Sequence, residues 1–232
     1  MIDPILLLDL TTLNDDDTAE SVTALCERAV TPRGPVAAVC VLPAFVGVAK
    51  KALAGTGVKV AAVANFPAGD DDTFGAADEA QFEVNAGADE IDVVVPWRAA
   101  LDGDVEAVTT LVSACAATTE PGALKAILET GSHPDLALTR EIADAALAGG
   151  AGWLKTSTGK VGPGASLDAA RVLAEAIRDH GSGRLKISGG VRTGEQAREY
   201  IALAESILGE GWATPETMRI GASSLLDTLL AE

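Results

Sequence analysis

Short apolar runs alternate eight times with longer stretches of helical periodicity, and this rhythm limits the chain to few folds. The runs cover residues 5–10, 36–42, 58–64, 90–95, 124–129, a short run holding Lys155, 184–188 and 218–221. Helical patterns are expected near 19–30, 45–54, 72–86, 97–117, 135–148, 166–180, 193–208 and from Ser223 onward. Strands that alternate with helices build a parallel sheet. Eight such units in 232 residues, with no long linker, fit a closed TM-type (β/α)8 barrel, the TIM barrel, rather than an open Rossmann sheet. The expectation is an α/β protein with one barrel domain over residues 1–232.

Composition narrows the class further. Hydrophobic residues make up 48% of the chain but aromatics only 3%, so the core must be mostly aliphatic. No apolar run reaches the roughly 18 residues that span a bilayer. The first residues, Met1-Ile2-Asp3-Pro4, lack the basic region of a signal peptide. Cys26, Cys40 and Cys115 are widely spaced and form neither a disulfide framework nor a zinc pattern. A reduced, cytoplasmic protein is expected. The formal net charge of −17 argues against nucleic acid and against anionic membranes as partners. It leaves anionic small molecules open, because a phosphate responds to local donors.

In a barrel of this kind active sites form at the C-terminal ends of the strands. Strand alternation puts Glu90, Asp92 and Val94 on one face, and likewise Lys125, Ile127 and Glu129. Lys155 pairs with Ser157 in this sense, and Lys186 with Ser188. Barrel interiors normally hold branched aliphatic side chains, and unpaired charge there is costly. Ionisable groups at corresponding positions on strands four to seven therefore read as a functional cluster. Taken singly, Lys125 or Lys186 also fits a peripheral ion pair. Lys155 admits two readings: a buried, neutral amine that attacks carbonyls, or a lysine at a strand end that reaches water.

Two loops suggest phosphate. Ser188-Gly189-Gly190-Val191-Arg192-Thr193 follows strand seven, and Gly221-Ala222-Ser223-Ser224 follows strand eight. Barrels often bind phosphate there through glycine N–H groups and a helix N-terminus, and Arg192 and Lys160 would add charge. Either loop alone also reads as turn glycines and an N-cap serine. Other motifs are weaker. Gly159-Lys160 resembles the end of a P-loop, but Leu154 and Val161 stand where glycine and Ser/Thr are needed. The acidic runs 15–17 and 70–72 precede helices and lack calcium-loop spacing. His133 and His180 lack metal-ligand spacing, and Cys40 reads as a small buried side chain. No metal or cofactor is expected.

A set of segments carries a family resemblance nearly end to end. They are Leu8-Asp9-Leu10-Thr11-Thr12-Leu13, Asn65-Phe66-Pro67, Ala88-Asp89-Glu90-Ile91-Asp92-Val93-Val94, Leu128-Glu129-Thr130-Gly131, Lys155-Thr156-Ser157-Thr158-Gly159-Lys160 and the two glycine loops, the second extended by Leu225-Leu226. In these the chain resembles the deoxyribose-phosphate aldolases, Schiff-base (class I) enzymes on a TIM barrel. The resemblance implies reversible cleavage of 2-deoxy-D-ribose 5-phosphate to acetaldehyde and D-glyceraldehyde 3-phosphate, without a metal, in a homodimer. By position it implies that Lys155 forms the imine, Lys186 is the second active-site lysine and Asp92 the acid/base partner. It places Asp9, Thr11, Cys40 and Thr158 near the substrate, with Lys125 as another polar interior residue pairing with Asp92 or Glu129. It assigns the phosphate to Gly159, Lys160, Gly189, Gly190, Arg192, Gly221, Ser223 and Ser224. Some members carry a C-terminal tail ending in tyrosine. This sequence ends Leu229-Leu230-Ala231-Glu232, and its only tyrosine, Tyr200, is expected on a helix. Two alternatives are a Schiff-base aldolase or transaldolase-like enzyme for another sugar phosphate, and a non-catalytic sugar-phosphate sensor. The intact Lys155, Lys186 and Asp92 speak against the sensor.

Overall fold

Eight parallel strands close into a barrel in a computed structural model of the chain, which describes residues 2–232. In chain order they are β1 (Leu8–Thr11), β2 (Ala38–Val41), β3 (Lys59–Ala64), β4 (Glu90–Val94), β5 (Leu124–Ile127), β6 (Trp153–Lys155), β7 (Arg184–Ser188) and β8 (Met218–Ala222). Each strand pairs with its sequence neighbours, and β8 closes on β1 through Asp9 opposite Gly221. The helices are α1 (Ala19–Arg28), α2 (Val46–Ala52), α3 (Thr73–Asn85), α4 (Trp97–Leu101), α5 (Glu106–Ala116), α6 (Leu136–Ala148), α7 (Leu167–His180), α8 (Gly194–Leu208) and α9 (Leu225–Ala231).

Alternation along each strand divides the core in two. Outward residues such as Val39, Val60, Ile91, Ala126, Leu154 and Ile187 join the helices in one large aliphatic layer. The inward residues include the charged cluster and a small apolar group of Leu13, Cys40, Ala61 and Val63. Helix starts follow their caps. The side chains of Asp72, Asp135, Ser166 and Thr193 each accept a hydrogen bond from a backbone N–H two or three residues into α3, α6, α7 and α8.

Beyond shifts of one or two residues at several ends, four departures from the sequence expectation have a local cause or bear on the site. The run 5–10 is not one strand: Pro4–Leu7 forms a 3-10 helix capped by Asp3, and β1 begins only at Leu8. Proline at a helix start and an aspartate before it outweigh the strand preference of the apolar residues. The helix expected over 97–117 is broken into α4 and α5, because Gly103 adopts a φ of +98° that ends the first piece. The strand expected over 124–129 stops at Ile127, since Glu129 has a left-handed φ of +55°. The last helix begins at Leu225 rather than Ser223.

One buried group in the helical layer carries a measurable consequence. Glu83 on α3 is fully buried, and neither carboxyl oxygen has a hydrogen-bond partner among the described residues. Burial first, then the nearby charges of Glu79 and Asp92, push its pKa up to about 9 from the ordinary 4.5. A raised folded-state pKa means that the folded chain holds a proton that the unfolded chain releases. That stability is fully present below pH 4.5 and is lost as the pH rises toward 9. Glu83→Gln removes the titration. The variant is expected to melt about 5 °C or more above the parent at pH 8.5, and within a degree or so of it near pH 4.5. Melting curves that stay parallel across this range would contradict the assignment.

Candidate active site

The barrel interior carries two tiers of charge over an indole floor. Trp153 on β6 forms the floor, its Nε1 donating to the Gly122 carbonyl at 3.1 Å. The Arg219 and Arg184 guanidinium groups lie 5.0 and 5.3 Å from its ring centre. Above it, Arg219 on β8 donates to Asp9 Oδ1 at 2.8 Å and to Glu90 Oε1 at 3.1 Å. Lys125 Nζ on β5 lies 2.6 Å from Glu90 Oε2 and 2.8 Å from Asp92 Oδ1. The upper tier converges on Asp92 Oδ2, which receives Lys155 at 2.8 Å and Lys186 at 2.6 Å. Lys186 also pairs with Asp9.

Local structure explains the convergence. Glu90 and Asp92 are two residues apart on β4, so both point inward. The register sets Asp92 opposite Lys125, and Lys155 opposite Lys186. The buried part of the ion-paired network thus holds three carboxylates (Asp9, Glu90, Asp92) and four cations (Lys125, Lys155, Lys186, Arg219), each no more than 2% exposed, and a fifth cation, Lys59, reaches Glu90 from the exposed lower mouth at 2.9 Å.

That imbalance decides the protonation. Burial alone would raise all three carboxyl pKa values, but the surrounding cations outweigh it and hold each below its usual range. Burial would likewise lower Lys125 and Lys186, yet the carboxylates overcome it and raise both. Lys155 goes the other way. Burial lowers its pKa, Asp92 pulls it back, and the positive charge of Lys186 adds to the lowering. Loss of that one proton leaves three positive and three negative buried groups. The Cys40 thiol is pushed up to about 11, chiefly by burial.

Lys155 lines a cavity of about 340 Å³ at the C-terminal ends of the strands. Of the residues singled out in the sequence, Thr11, Thr158, Gly159, Lys160, Gly189, Gly190, Arg192, Gly221, Ser223 and Ser224 line it with Lys155. Asp9, Asp92, Lys125 and Lys186 sit below this lining, in the ion-pair network, and Cys40 packs in the small apolar group beside it. Tyr200 is buried on α8, in the outer layer. The ring of His133 is fixed by the Leu128 carbonyl and Thr139 Oγ1, each at 2.9 Å. Sequence reasoning missed Arg219 and the lining residues Thr12 and Asn14 from the loop after β1. Arg219 precedes Gly221 by two residues on the same strand, so alternation was the signal that could have found it.

The cavity walls depend on close backbone approach. A Cβ on Gly221 would lie 3.0 Å from Ser188 Cβ and 3.2 Å from Lys186 Cε. Gly189 has a φ of +90°, and its carbonyl accepts the Ala165 N–H at 2.9 Å. This lays the Gly/Pro-rich loop after β6 against the loop after β7. Glu129, in its left-handed conformation, accepts the Thr158 N–H at 3.1 Å and so fixes the start of that loop. Two amides just before α8 are already used, while those of Gly194 and Glu195 in its first turn have no acceptor among the described residues. Gln196 Oε1 accepts from the amides of Arg192 (2.8 Å) and Thr193 (3.2 Å), and Thr193 caps the helix in return. Among the described residues nothing accepts from the amides of Gly190, Val191, Ser223 or Ser224, all in the lining. No three His, Cys, Asp or Glu side chains form a metal-binding group among the described residues, and no helix there is long and apolar enough to cross a membrane.

Comparison with known proteins points the same way. A family profile described as DeoC/LacD family aldolase matches residues 4–231. The fold matches a candidate deoxyribose-phosphate aldolase from Toxoplasma gondii ME49 with a TM-score of 0.90 and 27% identity, over 98% of this chain and 93% of that one. A candidate deoxyribose-phosphate aldolase from Coccidioides immitis matches with a TM-score of 0.83 and 29% identity, over 98% and 84%. A deoxyribose phosphate aldolase from Aeropyrum pernix, described as a unique tetramer, matches with a TM-score of 0.77 and 26% identity, over 98% and 89%.

Proposed function

Since the chain belongs to the DeoC/LacD aldolase family, we propose that it cleaves 2-deoxy-D-ribose 5-phosphate reversibly to D-glyceraldehyde 3-phosphate and acetaldehyde through a Schiff base on Lys155. The observation that carries this reading is the position of Lys155. It is the one lysine of the network that lines the cavity, and the one whose pKa is lowered. A free amine there attacks C1 of the open-chain sugar. Asp92 Oδ2, 2.8 Å from Lys155 and 2.6 Å from Lys186, lies on the short path for protons between the two amines. It takes the proton that nitrogen releases as the carbinolamine forms and passes it to the carbinolamine oxygen, and the Lys186 ammonium supplies the second proton as water leaves. The protonated imine is the electron sink. As the C3 hydroxyl gives its proton to the now neutral Lys186 by way of Asp92, the C2–C3 bond breaks and its electrons form an enamine, to which the same pair returns the proton. Protonation at C2 and hydrolysis then release acetaldehyde and restore the amine.

The far end of the cavity suits the phosphate. Lys160 and Arg192 supply charge, and the unused amides of Gly190, Ser223 and Ser224 supply donors. Binding energy at that end holds C1 against Lys155. Gly189→Ala places a Cβ 2.8 Å from Gly164 Cα at a φ of +90°. It is expected to raise KM for the phosphorylated sugar about tenfold or more, with far less effect on labelling by acetaldehyde, which has no phosphate. An equal loss for both ligands would remove Gly189 from the phosphate wall. A cytoplasmic homodimer belongs to the same proposal, and sedimentation velocity reads the assembly.

The test is release of the two-carbon aldehyde, followed through a coupled aldehyde-reducing dehydrogenase, from 2-deoxyribose 5-phosphate and unphosphorylated 2-deoxyribose (acetaldehyde) and from ribose 5-phosphate (glycolaldehyde). The first is expected to have the highest kcat/KM by at least about 100-fold. A preference for another sugar phosphate would replace the substrate and keep the imine.

A further inference from the structure

Imine formation requires one neutral amine among three lysines that share a single carboxylate. The upper tier alone does not set that balance. Asp92 presents two oxygens to Lys125, Lys155 and Lys186, and the remaining charges lie below. There Arg219 bridges Asp9 and Glu90, its Nη1 2.8 Å from Asp9 Oδ1 and 3.3 Å from Glu90 Oε2, its Nη2 3.1 Å from Glu90 Oε1. Its Nε donates to the Pro215 carbonyl at 2.5 Å, and Trp153 closes the space beneath it. Glu90 is held by Arg219, by Lys125 at 2.6 Å and, from the lower mouth of the barrel, by Lys59 at 2.9 Å. Neither Arg219 nor Glu90 lines the cavity, so neither can touch a substrate there.

We propose that Arg219 and Glu90 are positioning residues for the Schiff-base step, a fixed positive and a fixed negative charge that set how many protons Lys125, Lys155 and Lys186 hold between them. The inference rests on the Lys155 imine proposed above. A guanidinium does not deprotonate in a protein, so Arg219 is a permanent cation. Lys59 is half exposed, screened by water and present in every variant, so the count is of the buried groups. With Arg219 in place, three buried carboxylates are balanced by Arg219 and two ammonium groups, and Lys155 is the cation in excess. Without it, three carboxylates face three lysines and Lys155 keeps its proton. Without the Glu90 charge, two carboxylates face four cations and Lys155 gives up its proton more readily.

The remaining groups around these residues stay constant. Lys155 is faced by Asp92 from β4, Lys186 from β7 and the neutral Cys40 from β2. The lower tier is faced by Asp9 from β1, Lys59 from β3, Lys125 from β5, and Lys186 and Arg184 from β7. Glu129 lies at the upper end with its carboxylate on Thr158, and Glu83 lies outside the barrel.

The experiment measures the pH dependence of acetaldehyde trapping on Lys155 by cyanoborohydride, together with kcat/KM, in the parent, Arg219→Met, Glu90→Gln and the double variant. The acid limb is expected to move up by about one pH unit in Arg219→Met, and down by about one in Glu90→Gln. In the double variant it returns close to the parent. A purely structural role lowers amplitude in every variant and moves no limb in opposite directions. If Arg219→Met does not fold, Glu90→Gln and the double variant decide. A limb that stays fixed in Glu90→Gln while Lys155 is still labelled overturns this inference and spares the imine. A parent protein in which Lys155 is never labelled overturns both.

Discussion

Lys155→Ala is expected to lower kcat for aldol cleavage by about 10⁴-fold or more while leaving the protein folded. In the proposed mechanism the Lys155 amine bonds C1, and the other lysine of the lining, Lys160, is assigned to the phosphate end. Lys186 sits beneath the lining, and its pKa is held above the ordinary lysine range, so it rests as an ammonium and is no nucleophile toward the free aldehyde. The stability expectation follows from the charge count. Lys155 is the surplus cation of the network, and its removal leaves Asp92 paired with Lys125 and Lys186. The cost is the cavity left by the side chain, on the order of 1–2 kcal/mol, or a few degrees of melting temperature. Steady-state rates and a melting curve check both parts. A variant within tenfold of the parent rate would remove Lys155 from the chemistry.

Asp92→Asn is expected to behave in the opposite sense, with a large loss of stability as well as turnover. The Asp92 carboxylate is fully buried and holds three lysines at 2.6 to 2.8 Å. Neutralising it leaves four cations with two carboxylates, and breaking a buried ion pair from one side costs about 3–5 kcal/mol. A chain of this size then loses roughly 10 °C of melting temperature at pH 7. The pH dependence has a defined sign. The cations hold the folded-state pKa of Asp92 well below the ordinary 3.8, against the opposing effect of burial. Its contribution is therefore complete above pH 3.8 and is lost as the pH falls through the folded-state value. The deficit of the variant should be largest near neutrality and shrink in acid. Turnover should fall by about 10³-fold, because the proposed proton path between Lys155 and Lys186 runs through Oδ2. Melting temperatures from pH 3 to 8, beside kcat, test this. A variant as stable as the parent at pH 7 would mean that the lysines do not depend on Asp92 for their charge.

Much of this site was legible because a barrel strand obeys a period of two. Asp92, Lys125, Lys155 and Lys186 fall on inward faces by counting alone, and the two glycine loops fall after the expected strands. Helix starts were legible where a single side chain makes them, as at Asp72, Ser166 and Thr193. What was not legible depends on distance along the chain. Arg219 meets Glu90 across 129 residues and Asp9 across 210, and nothing in the run 218–221 announces those partners. Glu83 looks like any acidic residue within an amphipathic helix, and only the closed barrel shows that it is buried. The apolar stretch 5–10 matched a strand by composition, while Asp3 and Pro4 fixed its first half as a 3-10 helix. The amides of Arg192 and Thr193 read as free donors in the loop before α8, but Gln196, four and three residues on, accepts from both.

The most direct test of Lys155 as the Schiff-base residue is intact-protein mass followed by peptide mapping, after sodium borohydride reduction with 2-deoxyribose 5-phosphate or acetaldehyde. The expected result is one stable adduct per chain, on Lys155, absent from Lys155→Ala. An adduct on Lys186, or none at all where a known Schiff-base aldolase is labelled, would contradict it.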